Sequence, residues 1–530
     1  MPVSMPDERE DEEQAFNAAK NYHAELNEVY KYFMPYRQST TERSNEGGAA
    51  RSEGQSRTDH LFDGTGLSAA FNFAGMMSAD WLPPFQDFFK IEAGPLIPQD
   101  QRAELNKQLA GVTEMANGVL PRVRLATQEL FTDLFGGTGA MFTQAGNSRE
   151  PVQSMAVPIN ELAIEDDAFG MPNNVWWRRN YKKRQIEESW PNGKFSDEMT
   201  KAMEAKNSRV RITQSVRFDR AADRFMLRVY CEKDKHDHII FEEEHRTNPW
   251  QIVRFFKVPG ESFGRGLGHL GLPGIKTTNK TRELALRAAA FALMGIWMRR
   301  NDSVFNPDTA EFKPLRFWTV ASTGGPLGPT LQRLPVPENF DVASIVMKDE
   351  RDQLNKILLN DELPELQDSV RSPTEIAARL RRMAKSRGGV GARISLELVA
   401  SLAQRTVDIL EKQAYLQTRL TIDQLLTKTT VTAPAAAAQR ADKVQWAVDW
   451  MQMIMGLMGP QALPAFAKVQ DLLPDIGRWM GVDERYIPTP QEVKEFQQVV
   501  AGIAAQMQAA QGANAQQEPP GAAHVNGGAV

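Results

Sequence analysis

Residues 262–297, SFGRGLGHLGLPGIKTTNKTRELALRAAAFALMGIW, constrain the fold of this chain more than any other stretch. Gly264, Gly266, Gly268, Gly271 and Gly274 let the backbone turn sharply and approach a neighbour closely. After Pro273 no proline interrupts the segment until Pro307, so a glycine-punctuated bend is expected to feed a long, stiff helix.

A second helix is expected over 341–361, where Val342, Ile345, Val346, Leu354, Ile357 and Leu358 recur at helical spacing with charges on the other faces. The linker 301–340 carries Pro307, Pro314, Pro326, Pro329, Pro335 and Pro337 with Gly324, Gly325 and Gly328. That density of breakers predicts a compact loop-and-strand module between the helices.

The segment SFGRGLGHLGLPGIKTTNK resembles the signature of portal proteins, the head-to-tail connectors of short-tailed phages, in which an aromatic-Gly-Arg-Gly turn precedes a first stem helix. Further landmarks of that family follow in order: LFDGTGLSAAFNFAGMMSADWLPPFQDFF at 61–89, SPTEIAARLRR at 372–382 and GARISLELVASLAQRTVDIL at 391–410. The similarity spans roughly residues 20–430. It implies a mixed α/β, mainly α chain with a portal fold of wing, two-helix stem, clip, tunnel loop and helical crown. On that plan 1–270 is N-terminal arm and wing, 271–300 the first stem helix, 301–340 the clip and 341–360 the second stem helix. Residues 361–373 are then the tunnel loop, 374–430 a kinked helix returning through the wing, 431–507 the crown and 508–530 a disordered tail.

Composition bounds the alternatives. The chain has 530 residues, 42 % of them hydrophobic, which leaves material for three or four structural units. A formal net charge of −5 argues against a surface that clings everywhere to nucleic acid. The single cysteine, Cys231, forbids an intrachain disulfide and reads as a buried apolar side chain. The acidic start MPVSMPDEREDEEQ is unlike a secretory signal. The most apolar run, AAAFALMGIWM at 288–298, is far shorter than the roughly 20 residues a membrane span needs, so no membrane insertion is expected.

Elsewhere the pattern predicts a helix over 15–36 packed through Phe16, Leu26, Val29, Tyr30 and Phe33, and a polar, flexible loop over 38–58. A helix from Thr65 to the Leu82-Pro83-Pro84 stop should present Leu67, Ala70, Phe71, Ala74, Met77 and Trp81. More helix follows over 100–135 until Gly136, Gly137 and Gly139, and strands between 140 and 260. A helical segment over 374–425, with a stripe at Leu396, Val399, Leu402, Thr406, Ile409 and Leu410, should kink at Gly388-Gly389. Helical stripes recur at Val444, Val448, Met451, Met455 and Met458 and at Val493, Phe496, Val500, Ile503 and Met507.

No catalytic constellation stands out. Residues 271–277, GLPGIKT, lack the Gly-Lys-Ser/Thr of a phosphate loop because Ile275 separates Gly274 from Lys276. His236, His238 and His245 could share a strand face as metal ligands, but their charged neighbours suit a solvated hairpin better. The acidic run 7–13 reads as a solvated terminus, with contact to an assembly partner as the alternative. Trp176 and Trp177 beside Arg178, Arg179, Lys182, Lys183 and Arg184 could stack on single-stranded nucleic acid; the favoured alternative is rings in a core with the cations wet. The basic helical surface of Arg379, Arg381, Arg382, Lys385 and Arg387 fits a subunit interface and a DNA-facing role equally.

What the resemblance adds is function. It implies a homo-oligomeric ring, in this family usually about 12 subunits, at the capsid portal vertex of the virion, assembled in the host cytoplasm. Double-stranded DNA would pass through it during packaging and ejection, and it would dock the large terminase and then a head-to-tail adaptor or tail-tube protein, beside major capsid and scaffolding proteins. The wing-to-stem turn is carried by Gly264, Arg265, Gly266 and Gly268. Asp361, Glu362, Glu365, Asp368 and Arg371 would lie in the tunnel loop facing DNA; an exposed turn is the plainer alternative. No enzyme activity, cofactor or metal is implied. The rivals are a ring-shaped nucleic-acid translocase, which would need a nucleotide site, and a capsid or scaffold assembly protein.

Overall fold

The computed structural model describes residues 5–37, 58–83, 86–204, 209–231, 238–294, 297–299, 331–333, 340–360, 388–416, 422–459, 466, 468–480, 482, 486–488, 492–496, 498–499 and 502. Helix takes 55 % and strand 23 % of the structure, in keeping with a mixed, mainly α chain. Its elements run α1 (Met5–Phe33), α2 (Thr65–Trp81), β1 (Phe89–Ala93), α3 (Gln99–Gly118), α4 (Pro121–Leu134), β2 (Thr138–Asn147), β3 (Glu150–Val157), β4 (Leu162–Asp166), β5 (Pro172–Lys182), α5 (Lys183–Ser189), α6 (Asp197–Glu204), β6 (Arg209–Asp219), β7 (Arg224–Cys231) and β8 (Ile239–His245). They continue with β9 (Trp250–Arg254), β10 (Phe256–Lys257), β11 (Gly264–Arg265), α7 (Leu267–Met294), β12 (Trp297–Arg299), β13 (Leu331–Arg333), α8 (Phe340–Ile357), α9 (Gly388–Arg393), α10 (Ser401–Lys412), β14 (Thr427–Val431), α11 (Pro434–Met458) and α12 (Val469–Met480).

The chain divides into two compact units. The first is drawn from Met1–Ala79, Arg122–Gln144 and Gln153–Arg371. Its centre is an antiparallel five-stranded sheet in the order β4-β5-β6-β7-β8. Strand period separates two faces: Tyr181, Val210, Ile212, Val229 and Cys231 pack with Ile186 of α5 and Met199 and Met203 of α6. The opposite face carries Arg178, Thr213, Ser215, Arg217, Arg228 and Tyr230 and receives α1. A second sheet, ordered β3-β2-β9, places Phe142 against Trp250, with ring centroids 5.0 Å apart. Helix α2 begins where the Asp63 carboxylate accepts the Thr65 N–H at 2.9 Å, an N-terminal cap. Ala70, Ala74, Met77 and Trp81 are buried as expected, but Phe71 is 76 % exposed; the neighbouring Phe73 is buried in its place, with Phe135 and Phe255 as ring partners.

Helix α7 begins at Leu267, so Gly268, Gly271 and Gly274 lie inside it and not in a preceding loop, and Pro273 is also inside. Packing overrides the usual cost of glycine in a helix: a Cβ on Gly271 would come within 2.7 Å of Leu358 and 3.3 Å of Phe33. The α7 residues Gly271 and Gly274 face Leu358 and Leu354 in that order, so α7 and α8 run antiparallel. Beyond them β12 pairs antiparallel with β13, Trp297 opposite Arg333 and Arg299 opposite Leu331, bringing the two ends of the proline-rich segment together.

The second unit is drawn from Asp80–Pro121, Ala145–Val152 and Ser372–Val530. Here β1 pairs antiparallel with β14, Phe89 opposite Val431 and Ala93 opposite Thr427. The outer edge of β1 is capped by side chains of α3: Asn106 Oδ1 accepts the Ala93 N–H at 2.7 Å, Thr113 Oγ1 accepts the Ile91 N–H at 3.0 Å, and Asn117 Nδ2 donates to the Phe89 carbonyl at 3.1 Å. These residues lie at helical spacing on one face, and they remove the unpaired donors that make an edge strand adhesive.

The segment expected as one helix over 374–425 differs. Among its described residues it is helical from Gly388 with Gly389 included, passes through a π-helical stretch Ile394–Ala400 and ends at Lys412, short of Leu425, and β14 follows at Thr427. The wider π turn shifts the register of faces. Val399, Leu402, Thr406, Ile409 and Leu410 are buried while Leu396 is 69 % exposed. Helix α11 starts with Pro434 at its first turn and stops at Gly459, whose φ of 83° suits glycine. The loop 38–57, the module 301–330, the segment 361–387 and the tail 503–530 lie outside the described residues.

Candidate functional site

Three chain segments converge on the turn that launches α7. Strand β10 pairs with β11, Phe256 opposite Arg265. The Phe255 N–H donates to the Gly137 carbonyl at 2.8 Å, and the Gly268 N–H to the Phe135 carbonyl at 2.8 Å. A Cβ on Gly266 would sit 2.3 Å from the Phe135 oxygen and the Gly137 nitrogen, and one on Gly264 2.6 Å from the Gly137 oxygen. Only glycine permits that approach. Gly137 itself has φ 118°, a conformation side chains disfavour.

Helix α1 seals the turn. Tyr22 Oη lies 3.0 Å from the Gly264 carbonyl and 3.2 Å from Thr138 Oγ1, which accepts the Gly264 N–H at 2.8 Å. The Tyr22 ring stacks on Phe263 at 4.4 Å and on His269 at 5.5 Å. Burial drives the Tyr22 hydroxyl pKa upward, so it stays a neutral donor. Arg265 pairs with Glu261 at 3.0 Å and with Glu25, tying turn to helix. Burial lowers the His269 pKa against the opposing pull of Glu25.

One turn of structure further on, Asp63 holds the helix pair. It is 2 % exposed; its Oδ2 accepts Arg351 Nε of α8 at 2.9 Å and faces Arg282 Nη1 of α7 at 3.4 Å. Burial raises the Asp63 pKa, but the hydrogen bonds from Thr65 and Arg351 outweigh it and leave the pKa below the ordinary value. Asn279 of α7 completes the clamp, accepting the Phe62 N–H at 2.7 Å. A second buried carboxylate, Asp133, accepts Tyr30 Oη at 3.0 Å and Arg37 Nε at 2.7 Å.

The acidic run 7–13 is not a solvated terminus. It forms the first turns of α1, and Glu8 and Glu12, four residues apart on one face, are 1 % and 4 % exposed. Glu8 Oε2 accepts Arg228 Nη1 at 2.7 Å, and its other oxygen accepts the Ser215 hydroxyl. Glu12 accepts Arg178 Nε at 2.6 Å, Thr213 Oγ1 at 2.9 Å and Tyr230 Oη at 2.8 Å. Arg217 adds a bond to Asp11 at 2.8 Å. Burial, then Glu12, pushes the Tyr230 pKa upward. A buried carboxylate needs such complete pairing. The signal was in the strands: Thr213, Ser215 and Arg217 alternate with Ile212, Gln214 and Val216, a run of polar positions on one face of a strand whose other face is mainly apolar.

The remaining candidates disperse. Trp176 and Trp177 are core residues, and Trp177 Nε1 donates to Glu161 at 3.0 Å. Arg178, expected to be wet, is instead the partner of Glu12 and lies over the Phe16 ring at 3.9 Å. Arg184 remains on the surface, paired with Glu188. Cys231 is buried. His245 is buried beside Glu243 at 3.8 Å, because β8 turns it inward; His238 Nε2 lies 2.7 Å from the Lys194 carbonyl, and His236 is outside the described residues. Among the described residues no group of three or more acidic, histidine or cysteine side chains could hold a metal, and no helix is long and apolar enough to cross a membrane. Residues 271–277 lie within α7, so their N–H groups do not form a phosphate cradle. Asp361, Glu362, Glu365, Asp368, Arg371, Arg379, Arg381, Arg382 and Lys385 lie outside the described residues.

Compared with known families, the chain matches the one described as bacteriophage head to tail connecting protein over residues 10–487. No curated protein matches it.

Proposed function

This chain belongs to the bacteriophage head to tail connecting proteins, and from that membership we propose that it forms a closed portal ring at one capsid vertex. Double-stranded DNA enters and leaves the head through its axis. The observation that carries this reading is the antiparallel pair α7 and α8, launched from the glycine turn and clamped by Asp63. Leu284 and Leu286 of α7 and Ile345 and Val346 of α8 are 54 %, 52 %, 68 % and 48 % exposed. A helix pair with apolar residues left outside needs neighbours, and a heterologous contact that closes makes a ring.

On this proposal α7 and α8 are the stem and the segment between β12 and β13 is the clip that meets the terminase motor and later a tail adaptor. The first unit holds most of the wing, and α11 and α12 belong to the crown. The ring performs no bond chemistry. Its bore must let DNA slide, and each fixed lysine or arginine contact with phosphate adds salt-dependent affinity. Few basic groups, and net negative charge at Asp361, Glu362, Glu365 and Asp368 against Arg371, would keep DNA moving. The basic surface of Arg379, Arg381, Arg382 and Lys385 then serves between subunits or toward DNA.

The test is the mass of the intact assembly together with negative-stain images. Closed rings with an axial hole are expected; a monodisperse monomer that hydrolyses nucleotide overturns the proposal, and shells without a hole favour a capsid or scaffold role.

A further inference from the structure

His269, in the first turn of α7, is 9 % exposed, and neither of its ring nitrogens has a hydrogen-bond partner. A buried polar group left unmet in this way costs stability. Shape holds the ring instead: it lies 5.5 Å from the Tyr22 ring with the planes 28° apart, and Tyr22 stacks in turn on Phe263 at 4.4 Å. His23 meets the far side of that stack, edge-on to Phe263 at 5.6 Å.

The charges facing this ring do not balance. Glu25 of α1 and Glu261 of the loop between β10 and β11 share the guanidinium of Arg265, which donates to Glu261 from Nε at 3.0 Å and Nη2 at 3.1 Å and to Glu25 from Nη1. Lys257 also acts on Glu261, but its ammonium is engaged by Asp166 and by the Glu261 carbonyl. Tyr22 and His23 are held neutral by burial. Two carboxylates thus stand against one arginine beside an uncharged imidazole, and a protonated His269 would be the second cation. Of these charges Glu25 pulls most strongly on the ring. The Gly136 carbonyl also favours the protonated form, and here it has Tyr22 Oη at a long 3.4 Å.

The ring sits where movement is transmitted. The preceding Gly268 N–H donates to the Phe135 carbonyl at 2.8 Å, and a Cβ on Gly268 would come within 2.5 Å of Val29 of α1. With no room at the backbone, His269 can change partners only if α1 and the start of α7 part.

We infer that His269 is a proton-operated latch: on taking up a proton its ring leaves the Tyr22 stack for Glu25, Arg265 keeps Glu261 alone, and the seam between α1 and the first turn of α7 opens. The sign follows from burial, which disfavours the charged ring in the closed seam; a proton is therefore taken up more readily by the open form, and acid shifts the population toward it. Every group involved lies in one chain, so the latch goes beyond the ring proposed above and does not depend on it.

Hydrogen exchange of the full chain tests it. From about pH 7.5 to about pH 5.5, peptides covering 20–30 and 264–274 should exchange at least about fivefold faster after correction for the intrinsic rate, while the five-stranded sheet stays protected. His269→Phe, which keeps the stack, should abolish this acceleration, and His23→Leu should leave it. In the wild-type chain the C2-hydrogen exchange of His269, read by mass spectrometry, follows the protonation of that ring, and its midpoint should coincide with the opening of the seam; Glu25→Gln should move that midpoint to lower pH. His269 titrating while both peptides stay protected overturns the inference, and so does acceleration that survives in His269→Phe. Should that variant fail to fold, the wild-type comparison decides alone.

Discussion

Helices α1 and α11 solve opposite problems. The first brings Glu8 and Glu12 into the protein, with the half-exposed Asp11 beside them, and finds Arg178, Arg217, Arg228, Ser215, Thr213 and Tyr230 waiting on the sheet. The second leaves Trp446 and Leu457 exposed among the described residues. A charge cluster inside one chain and a tryptophan outside it are both exceptions to the ordinary sorting of residues. The first is completed within the fold; the second is left at the surface of the described chain.

The largest effect should come from breaking the α1 clasp. Glu12→Ala leaves Arg178, Thr213 and Tyr230 without their acceptor, and about 3–5 kcal/mol of stability should be lost, read by denaturant unfolding. An undiminished midpoint would mean that the clasp is idle. Further along the same helix, burial pushes the His23 pKa down to about 4. An unfolded chain takes up that proton near pH 6.5, so stability is full above that pH and falls by about 3 kcal/mol on the way to pH 4. The thermal midpoint should therefore drop over this window, and His23→Leu should flatten that part of the profile.

Asp63→Asn tests a buried carboxylate that joins helices to each other and not to a sheet. Losing its charged bonds to Arg351 and Arg282 should cost about 2 kcal/mol, with faster hydrogen exchange along α7 and α8; unchanged exchange would show that the helices hold themselves. The smallest effect belongs to α11: Trp446→Ser in the unassembled chain should change stability by less than about 0.5 kcal/mol. A large loss there would mean that the stripe already has an intrachain partner, and the contrast with α1 would collapse.

Much of the architecture was legible. The limits of α2, the turn beyond α4, the run of strands and the two long helices α7 and α8 follow from proline, glycine and period, which act locally. Gly264 and Gly266 stood out in the sequence because close backbone approach has few other solutions. What escaped were pairings between distant residues. Asp63 sits in a short polar stretch with nothing to mark it as the anchor of Arg282 and Arg351. The TKTTV strand was hidden because it gains meaning only beside β1, more than three hundred residues earlier.

The sequence by itself determined where this chain stiffens and bends, because periodicity and the backbone limits of glycine and proline are properties of neighbours along the chain. Tertiary structure alone decided which charges are inside. Glu8 and Glu12 look like any solvated acidic run until three strands deliver arginine, hydroxyl and phenol groups to the same place. Burial of a carboxylate depends on that gathering, and no local pattern encodes it.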